Sequence, residues 1–552
     1  MMRRNRTSRR ALVSAILIAS GGWWLSDRLD DIAWLLALAA MGIGVMAATW
    51  PRSRPGRTGR GNQQAIVKLG IVLMSLFGVL TLQIVRIQAW QQEEIASRIA
   101  VDRSTGEVAA NPRVVNEDLR VQRGRILDRN GAIVAETIMD GGLARRSYPD
   151  PNTAYVAGFF SPLLYGRSGL EATYDAVLRG DVTLDTWTEW ANALLGHPPK
   201  GLDLQLTLDA TLQQRAHELL GDRVGAVVLV EVRTGAVLVL ASNPHFDPEA
   251  LVTAGEQDRE RAAGEWQALL DDPRHPLLLR ATQGLYTPGS TFKTVVAAAA
   301  INEGIATPDS LYRDDGSLNV DGHIIFEANR PDDSISTWTL RDALAFSLNV
   351  VFAQVGLALG ADNLWQYAER FGFGVDIPFD LPVARGQVAS ARNFLDSAPA
   401  LADTGFGQGE LLATPLQMAL VAAAIANDGS MMQPYLVQRI LTREGDVRSV
   451  TKPRVWQQTV GPETARQVRE MMIHAVTNGY VSGAAIEGFV VGGKTGTAET
   501  GDGDPHAWFI GFVGDPEPKY AVAVVLEHGG AGLAAPLAIG REMMAAAMAD
   551  LR

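Results

Sequence analysis

The chain contains no cysteine. That excludes thiolate nucleophiles, disulfides and cysteine-ligated metals, and it leaves the compartment open. Also missing are H-E-x-x-H, a P-loop and a Rossmann glycine fingerprint, so the commonest metalloprotease, NTPase and dinucleotide sites have no foothold. His217-Glu218 runs on into Leu-Leu-Gly without a second histidine, and reads as a solvated pair on a helix. Positive charge is scarce: 49 Lys and Arg against 61 Asp and Glu give a net charge of −12. The basic residues form no stripe interleaved with aromatics, so no nucleic-acid partner is expected. With 552 residues there is room for several domains and a large core.

What the N-terminus does have is long apolar runs. Residues 11–26 and 32–50 are two, separated by Asp27-Arg28-Leu29-Asp30-Asp31, and residues 69–85 centre a third span of about 65–88. Each approaches the length that crosses a bilayer. Arg3, Arg4, Arg6, Arg9 and Arg10 precede the first run; Arg52, Arg54, Arg57 and Arg60 lie between the second and third. Positive-inside reasoning puts both groups in the cytoplasm and everything after residue 90 on the far side. Trp23, Trp24, Trp50 and Trp90 fall near run ends, where interfacial aromatics belong, although packing between helices would also place them there. A cleaved signal peptide is the rival reading of the first run, but no clear A-x-A site follows it.

Residues 91–120 read as a polar, patternless linker. Asn130-Gly131, between β-prone runs, marks a hairpin that carries Arg123, Arg125 and Arg129 as exposed side chains. Gly169 to Gly180 contains a short helix of scaffolding character, and nothing between 91 and 200 pairs a nucleophile with a base. From residue 203 the pattern is strand, helix capped by Asp209, then strands at 224–232 and 236–241 around Arg233-Thr234-Gly235. A long helical section follows, then strands at 507–513 and 520–526 and a last helix over 534–550. Strands at both ends with helices between imply one α+β domain whose sheet joins distant parts of the chain.

Chemistry centres on Tyr286-Thr287-Pro288-Gly289-Ser290-Thr291-Phe292-Lys293. Pro and Gly break the chain before Ser290, so Ser290 opens a helix and Lys293 follows one turn later on the same face. A serine becomes a nucleophile when a base takes its proton, and a neutral lysine can be that base. Alone, Ser290 is as well explained as an N-cap and Lys293 as a solvated helix residue. Ser347-Leu348-Asn349 follows a helical pattern from Leu340 to Phe346, and Lys494-Thr495-Gly496-Thr497 follows the strand-like Phe489-Val490-Val491. Each of these is also common by itself. In the order S-x-x-K, S-x-N, K-T-G, however, they match the signature set of penicillin-binding proteins and class A β-lactamases.

The chain resembles the class B penicillin-binding proteins, the monofunctional peptidoglycan D,D-transpeptidases of bacteria, from about residue 121 to the C-terminus. Beyond the three signatures, Arg123-Gly124-Arg125-Ile126-Leu127-Asp128-Arg129-Asn130-Gly131 resembles the opening of that family's pedestal. Thr404-Gly405-Phe406-Gly407-Gln408-Gly409 with Thr414-Pro415-Leu416-Gln417, and His506-Ala507-Trp508-Phe509-Ile510-Gly511, are further matches. The resemblance implies an α+β transpeptidase fold, an antiparallel sheet flanked by helices plus an all-helical subdomain. Residues 1–90 would be a membrane region, 91–200 linker and pedestal of dimerisation type, and 201–552 the transpeptidase domain. Members usually carry a single anchor helix, which the third run resembles; the first two would be an added hairpin.

It also implies roles. Ser290 would attack the bond between the terminal D-alanines of a stem peptide, with Lys293 as base, Ser347 relaying the proton and Asn349 holding Lys293 and substrate. A free lysine titrates near ~10.4, so burial and the neighbouring Lys494 cation must lower Lys293. Lys494, Thr495 and Thr497 would face the substrate carboxylate, Gly496 would allow its close approach, and the N–H groups of Ser290 and Thr497 would form an oxyanion hole. No cofactor or metal is required. Implied partners are peptidoglycan stem peptides, β-lactams that acylate Ser290, and a membrane glycosyltransferase of the SEDS type. The location implied is the bacterial cell membrane, multi-pass, with an extracytoplasmic catalytic domain.

Three rivals stand beside this reading. A β-lactamase would need a deacylating glutamate, and between Asn349 and Lys494 there is no E-x-x-L-N; Glu410 is the nearest imitation. A bifunctional enzyme would need a glycosyltransferase domain where only about thirty residues are available. A scaffold or β-lactam sensor would keep the fold without turnover, and Ser290→Ala separates it from an enzyme.

Overall fold

The computed structural model describes residues 34, 38, 40, 42–47, 61–85, 100–101, 108–109, 115, 118–140, 143–181, 200–499, 503–530 and 534–549. Two compact units emerge, residues 1–116 and 117–552.

In the first unit, helix α1 (Gly61–Val85) is apolar around its circumference. Ala65–Ile84 is long and apolar enough to cross a membrane, and Ile66, Leu69, Met74 and Phe77 are exposed along it. The 32–50 run is helical at its described residues 34, 38, 40 and 42–47. It lies against α1: Trp34 Nε1 donates to Gln83 Oε1 at 2.9 Å, and a Cβ on Gly42 would meet Val79 Cγ2 at 3.0 Å. The expected 11–26 span, the nine arginines used to orient it, and Trp23, Trp24, Trp50 and Trp90 lie outside the described residues. Within the 91–120 stretch, Ala100–Val101 pairs with Val108–Ala109.

The second unit opens with β1 (Ile126–Leu127), β2 (Ile133–Asp140) and β3 (Leu143–Ser147), and the β1–β2 turn contains Gly131 at φ +89. After α2 (Gly169–Thr173) come β4 (Asp203–Leu206) and α3 (Ala210–Leu220), which Asp209 caps by accepting from Thr211 N and Leu212 N. Next are β5 (Gly225–Glu231), β6 (Val237–Asn243) and α4 (Lys293–Asn302). Helices α5 (Leu340–Ala345), α6 (Asn349–Leu359) and α7 (Pro415–Ala426) follow, then β7 (Val437–Leu441), β8 (Val447–Val450) and α8 (Pro462–Asn478). The unit closes with β9 (Val490–Ala498), β10 (His506–Gly514), β11 (Pro518–Leu526) and α9 (Ala534–Ala549).

Strands from the two ends join in one antiparallel sheet, order β6-β5-β11-β10-β9. Successive residues alternate between its faces. Val227, Leu229, Val522 and Val524 pack under α3 and α9 with Leu212, Met543 and Met544. Val228, Val230, Ala523 and Val525 face the helical layer with Leu416 and Leu420 of α7. Every residue of α7 is buried, which is why it is apolar all round. This is the expected α+β architecture, with K-T-G on an edge strand.

A second sheet, order β8-β7-β4-β1-β2-β3, mixes strands from 126–147, 203–206 and 437–450. Two expectations are corrected here. The leading arginine of the hairpin is not exposed: Arg123 is 1% accessible, because Glu171 on α2 binds it. Glu171, itself buried, holds Arg123 at 2.8 Å and Arg146 at 2.5 Å. Burial acts to raise its carboxyl, but the two guanidiniums outweigh that and hold it below the usual range. The second correction is His217, which is buried, not solvated; it bonds Asn152 O at 3.1 Å and sits beside His245. Glu218 alone of that pair is exposed.

Glu171→Gln removes the counter-ion of buried Arg146 and leaves Arg123 with Asp175, so thermal denaturation of the variant should show a loss of about 3–5 kcal/mol. An unchanged melting curve would mean that the ion cluster does not hold α2 to the sheet.

Candidate active site

Ser290 sits, half-buried, in a 3₁₀ turn (Gly289–Phe292) that leads into α4, so Lys293 is the first α-helical residue. The turn is clamped from three sides. Gly289 has φ +54, and a Cβ on it would lie 2.4 Å from Thr497 O of β9. A Cβ on Gly407 would lie 1.8 Å from Gly289 O, so the Thr-Gly-Phe-Gly loop closes over the same peptide. Trp508 Nε1 on β10 donates to Thr287 O at 3.0 Å. At Gly496 the nearest atoms to an added Cβ are Pro288 O at 2.9 Å and Thr291 Cγ2 at 3.0 Å. Glycine there first of all seats the serine turn on the strand.

Lys293 is fully buried, and its Nζ donates to Ser347 O at 2.6 Å and Asn349 Oδ1 at 2.7 Å, with Ser347 Oγ at 3.3 Å. Lys494, 1% exposed, donates to the same Ser347 Oγ at 2.9 Å and to Thr495 O at 2.9 Å. Ser347 therefore lies between two amines, in the left-handed region at φ +62, between α5 and α6. The structure thus brings Ser347, Asn349, Lys293 and Lys494 into one cluster, and the Gly289–Thr497 contact places the Ser290 turn beside Thr497. Thr495 is buried opposite Phe509; Thr497, opposite Ala507, is half-buried on the unpaired edge of β9.

Burial, opposed by the Glu327 carboxylate, brings the Lys293 ammonium down to about 7. The repulsion between the lysines acts on Lys494, which burial and then the Lys293 charge hold well below the ordinary lysine range. Two further residues, one bonded to the cluster and one to its neighbours, carry no signal in the sequence. Asn329 Nδ2 donates to Ser347 O at 3.1 Å, and Glu327 Oε2 accepts from Val350 N at 2.9 Å. No periodicity or motif marks them.

Compared with known proteins, residues 225–547 match the sequence profile of the penicillin binding protein transpeptidase domain, and residues 123–204 that of the penicillin binding protein A dimerisation domain. The chain belongs to the class B penicillin-binding proteins. Among relatives in this family is the peptidoglycan D,D-transpeptidase PbpA of Mycolicibacterium smegmatis, 36% identical over 462 residues, which cover 80% of this chain and 92% of that protein. Penicillin-binding protein A from M. tuberculosis, solved as an imipenem acyl-enzyme, superposes with TM-score 0.72 at 34% identity, covering 79% of this chain and 100% of that one. The D,D-transpeptidase domain of a peptidoglycan glycosyltransferase from Eggerthella lenta follows at TM-score 0.69 and 32% identity, covering 78% of this chain and 100% of that one. The transpeptidase match spans Lys293, Ser347, Asn349 and Lys494, and the dimerisation match spans β1 to β3.

Proposed function

We propose that this class B penicillin-binding protein is a peptidoglycan D,D-transpeptidase with Ser290 as nucleophile. The observation that carries this reading is the meeting of Lys293 Nζ and Lys494 Nζ at Ser347 Oγ, beside the Ser290 turn. Ser290 Oγ attacks the carbonyl carbon of the penultimate D-alanine and passes its proton to neutral Lys293. As the C–N bond breaks, Ser347 relays a proton from the lysine pair to the departing D-alanine. The amine of a neighbouring stem peptide then displaces Ser290 from the acyl carbon, forming the cross-link and restoring the hydroxyl.

Asn349 holds Lys293 from one side and meets the substrate backbone on the other. The Ser290 and Thr497 N–H groups form the oxyanion hole, at about 3–4 kcal/mol per donor; a Cβ on Gly289 would lie 3.3 Å from Thr497 N, which supports their adjacency. Lys494, Thr495 and Thr497 receive the substrate carboxylate along the unpaired edge of β9. β-Lactams acylate Ser290 in place of the stem peptide. Glu410 supports no β-lactamase reading, since its Oε2 already accepts from Ser390 N at 2.6 Å.

The same proposal takes the division at about residues 90 and 200 into membrane region, pedestal and catalytic domain. It also takes the N-terminus as cytoplasmic, three membrane passes, and a SEDS-type glycosyltransferase as partner through α1 and the pedestal. The exposed apolar length of α1 supports the anchor.

Intact-mass spectrometry after incubation with benzylpenicillin is expected to show one stable adduct, absent from Ser290→Ala; a transient adduct with accumulating hydrolysed penicillin would favour a β-lactamase. Acylation should rise with pH to a plateau and be half-maximal near 7, where Lys293 loses its proton, falling about tenfold per unit below that. A flat profile from pH 5 to 9 would remove Lys293 as the base. Deleting residues 65–200 should impair glycan polymerisation by the partner, and unchanged polymerisation would count against the proposed contact.

A further inference from the structure

The turn that carries Ser347 has an unusual need. A non-glycine residue at φ +62 is strained and persists only where its surroundings over-determine it. The helix that follows has a second need, because its N-cap, Leu348, has no side chain able to accept from the free N–H groups of the first turn. Both are met from outside the catalytic signatures, by the segment after the hairpin Ser317–Val320/His323–Phe326.

Glu327 is the first residue beyond that hairpin, half-buried and anchored by its own N–H to Gly316 O at 2.9 Å. One carboxylate oxygen accepts from Val350 N at 2.9 Å, which caps α6, and the other accepts from Asn329 N at 3.0 Å. Asn329 in turn donates its side chain to Ser347 O, the carbonyl that also accepts from Lys293. A carboxylate at a helix N-terminus is also favoured by the helix dipole. Glu327 thus reaches both sides of Ser347, through α6 and through Asn329.

We propose that Glu327 is a positioning residue for acylation, holding the Ser347–Asn349 turn and serving as the counter-charge to Lys293. This rests on the reading of Lys293 as the base for Ser290. The charged and titratable groups facing this pair are Lys494 from β9, the buried Asp314 before the hairpin, and Tyr480 after α8. Asp314 adds a like charge to Glu327, and Lys494 is the cation that β9 brings to Lys293. Glu327 is thus the carboxylate that opposes the effect of burial on Lys293. Its counter-charge keeps the base strong enough to take the serine proton, since base strength and neutral fraction trade against each other.

The test is the pH profile of benzylpenicillin acylation, read by intact mass on the full-length detergent-solubilised protein, for wild type, Glu327→Gln, Glu327→Ala and Ser290→Ala. Glu327→Gln keeps the volume and one of the two acceptor oxygens but removes the charge. Its acid limb should move to lower pH than wild type while its plateau rate falls. Glu327→Ala also removes the cap and should lose about 10²-fold at the plateau through misplacement of Ser347. Wild-type acylation with an identical pH midpoint in Glu327→Gln would overturn this proposal and leave the Ser290 reading intact. No adduct on wild type would overturn both. Because Glu327→Gln keeps the side-chain volume and one of the two accepted hydrogen bonds, it decides the matter even where Glu327→Ala does not fold.

Discussion

Two primary amines in one dry pocket cannot both remain charged at little cost, and the lysine–serine cluster is built on that constraint. Lys293 and Lys494 approach Ser347 Oγ from α4 and β9, each almost without solvent. In water the pair would hold two protons at neutral pH; here burial removes the stabilisation that would allow it. The result is a pair of amines whose charged forms are both disfavoured, Lys293 down to about 7 and Lys494 well below the ordinary lysine range, produced by position alone.

That arrangement requires helix, turn and strand to meet without a gap, which explains the glycines around Ser290. Gly289, Gly407 and Gly496 each occupy a place where a Cβ would run into backbone of a neighbouring segment. Signatures that look unrelated along the chain are therefore one packing unit. The Thr-Gly-Phe-Gly loop covers the peptide before the serine, and Trp508 ties the residue ahead of it.

Much of this was legible in the sequence. Short unbroken apolar runs mark β5, β6, β10 and β11, and the three short signatures name four side chains that the fold brings into one cluster. What escaped notice did so for physical reasons. Glu327 and Asn329 lie in a polar stretch that looks solvated, and only the long-range contact to Ser347 and α6 gives them a task. Arg123 and His217 were read as surface groups because charge and polarity predict exposure. Glu171 and Asn152, which bury them, are remote in sequence. The joining of 126–147, 203–206 and 437–450 in one sheet carries no local signal, since strand pairing partners are not written in periodicity.

That shared sheet bears on how separable the parts of the molecule are. The two family matches meet between residues 204 and 225, yet β4 pairs with β1 on one side and with β7 on the other. A fragment that began at residue 225 would leave β7 paired with β8 alone and present an open row of N–H and C=O groups on its β4 side. Such an edge recruits other chains. A cut placed between the two matches would therefore open strand edges that the intact sheet keeps paired, so the sheet is one unit across that boundary.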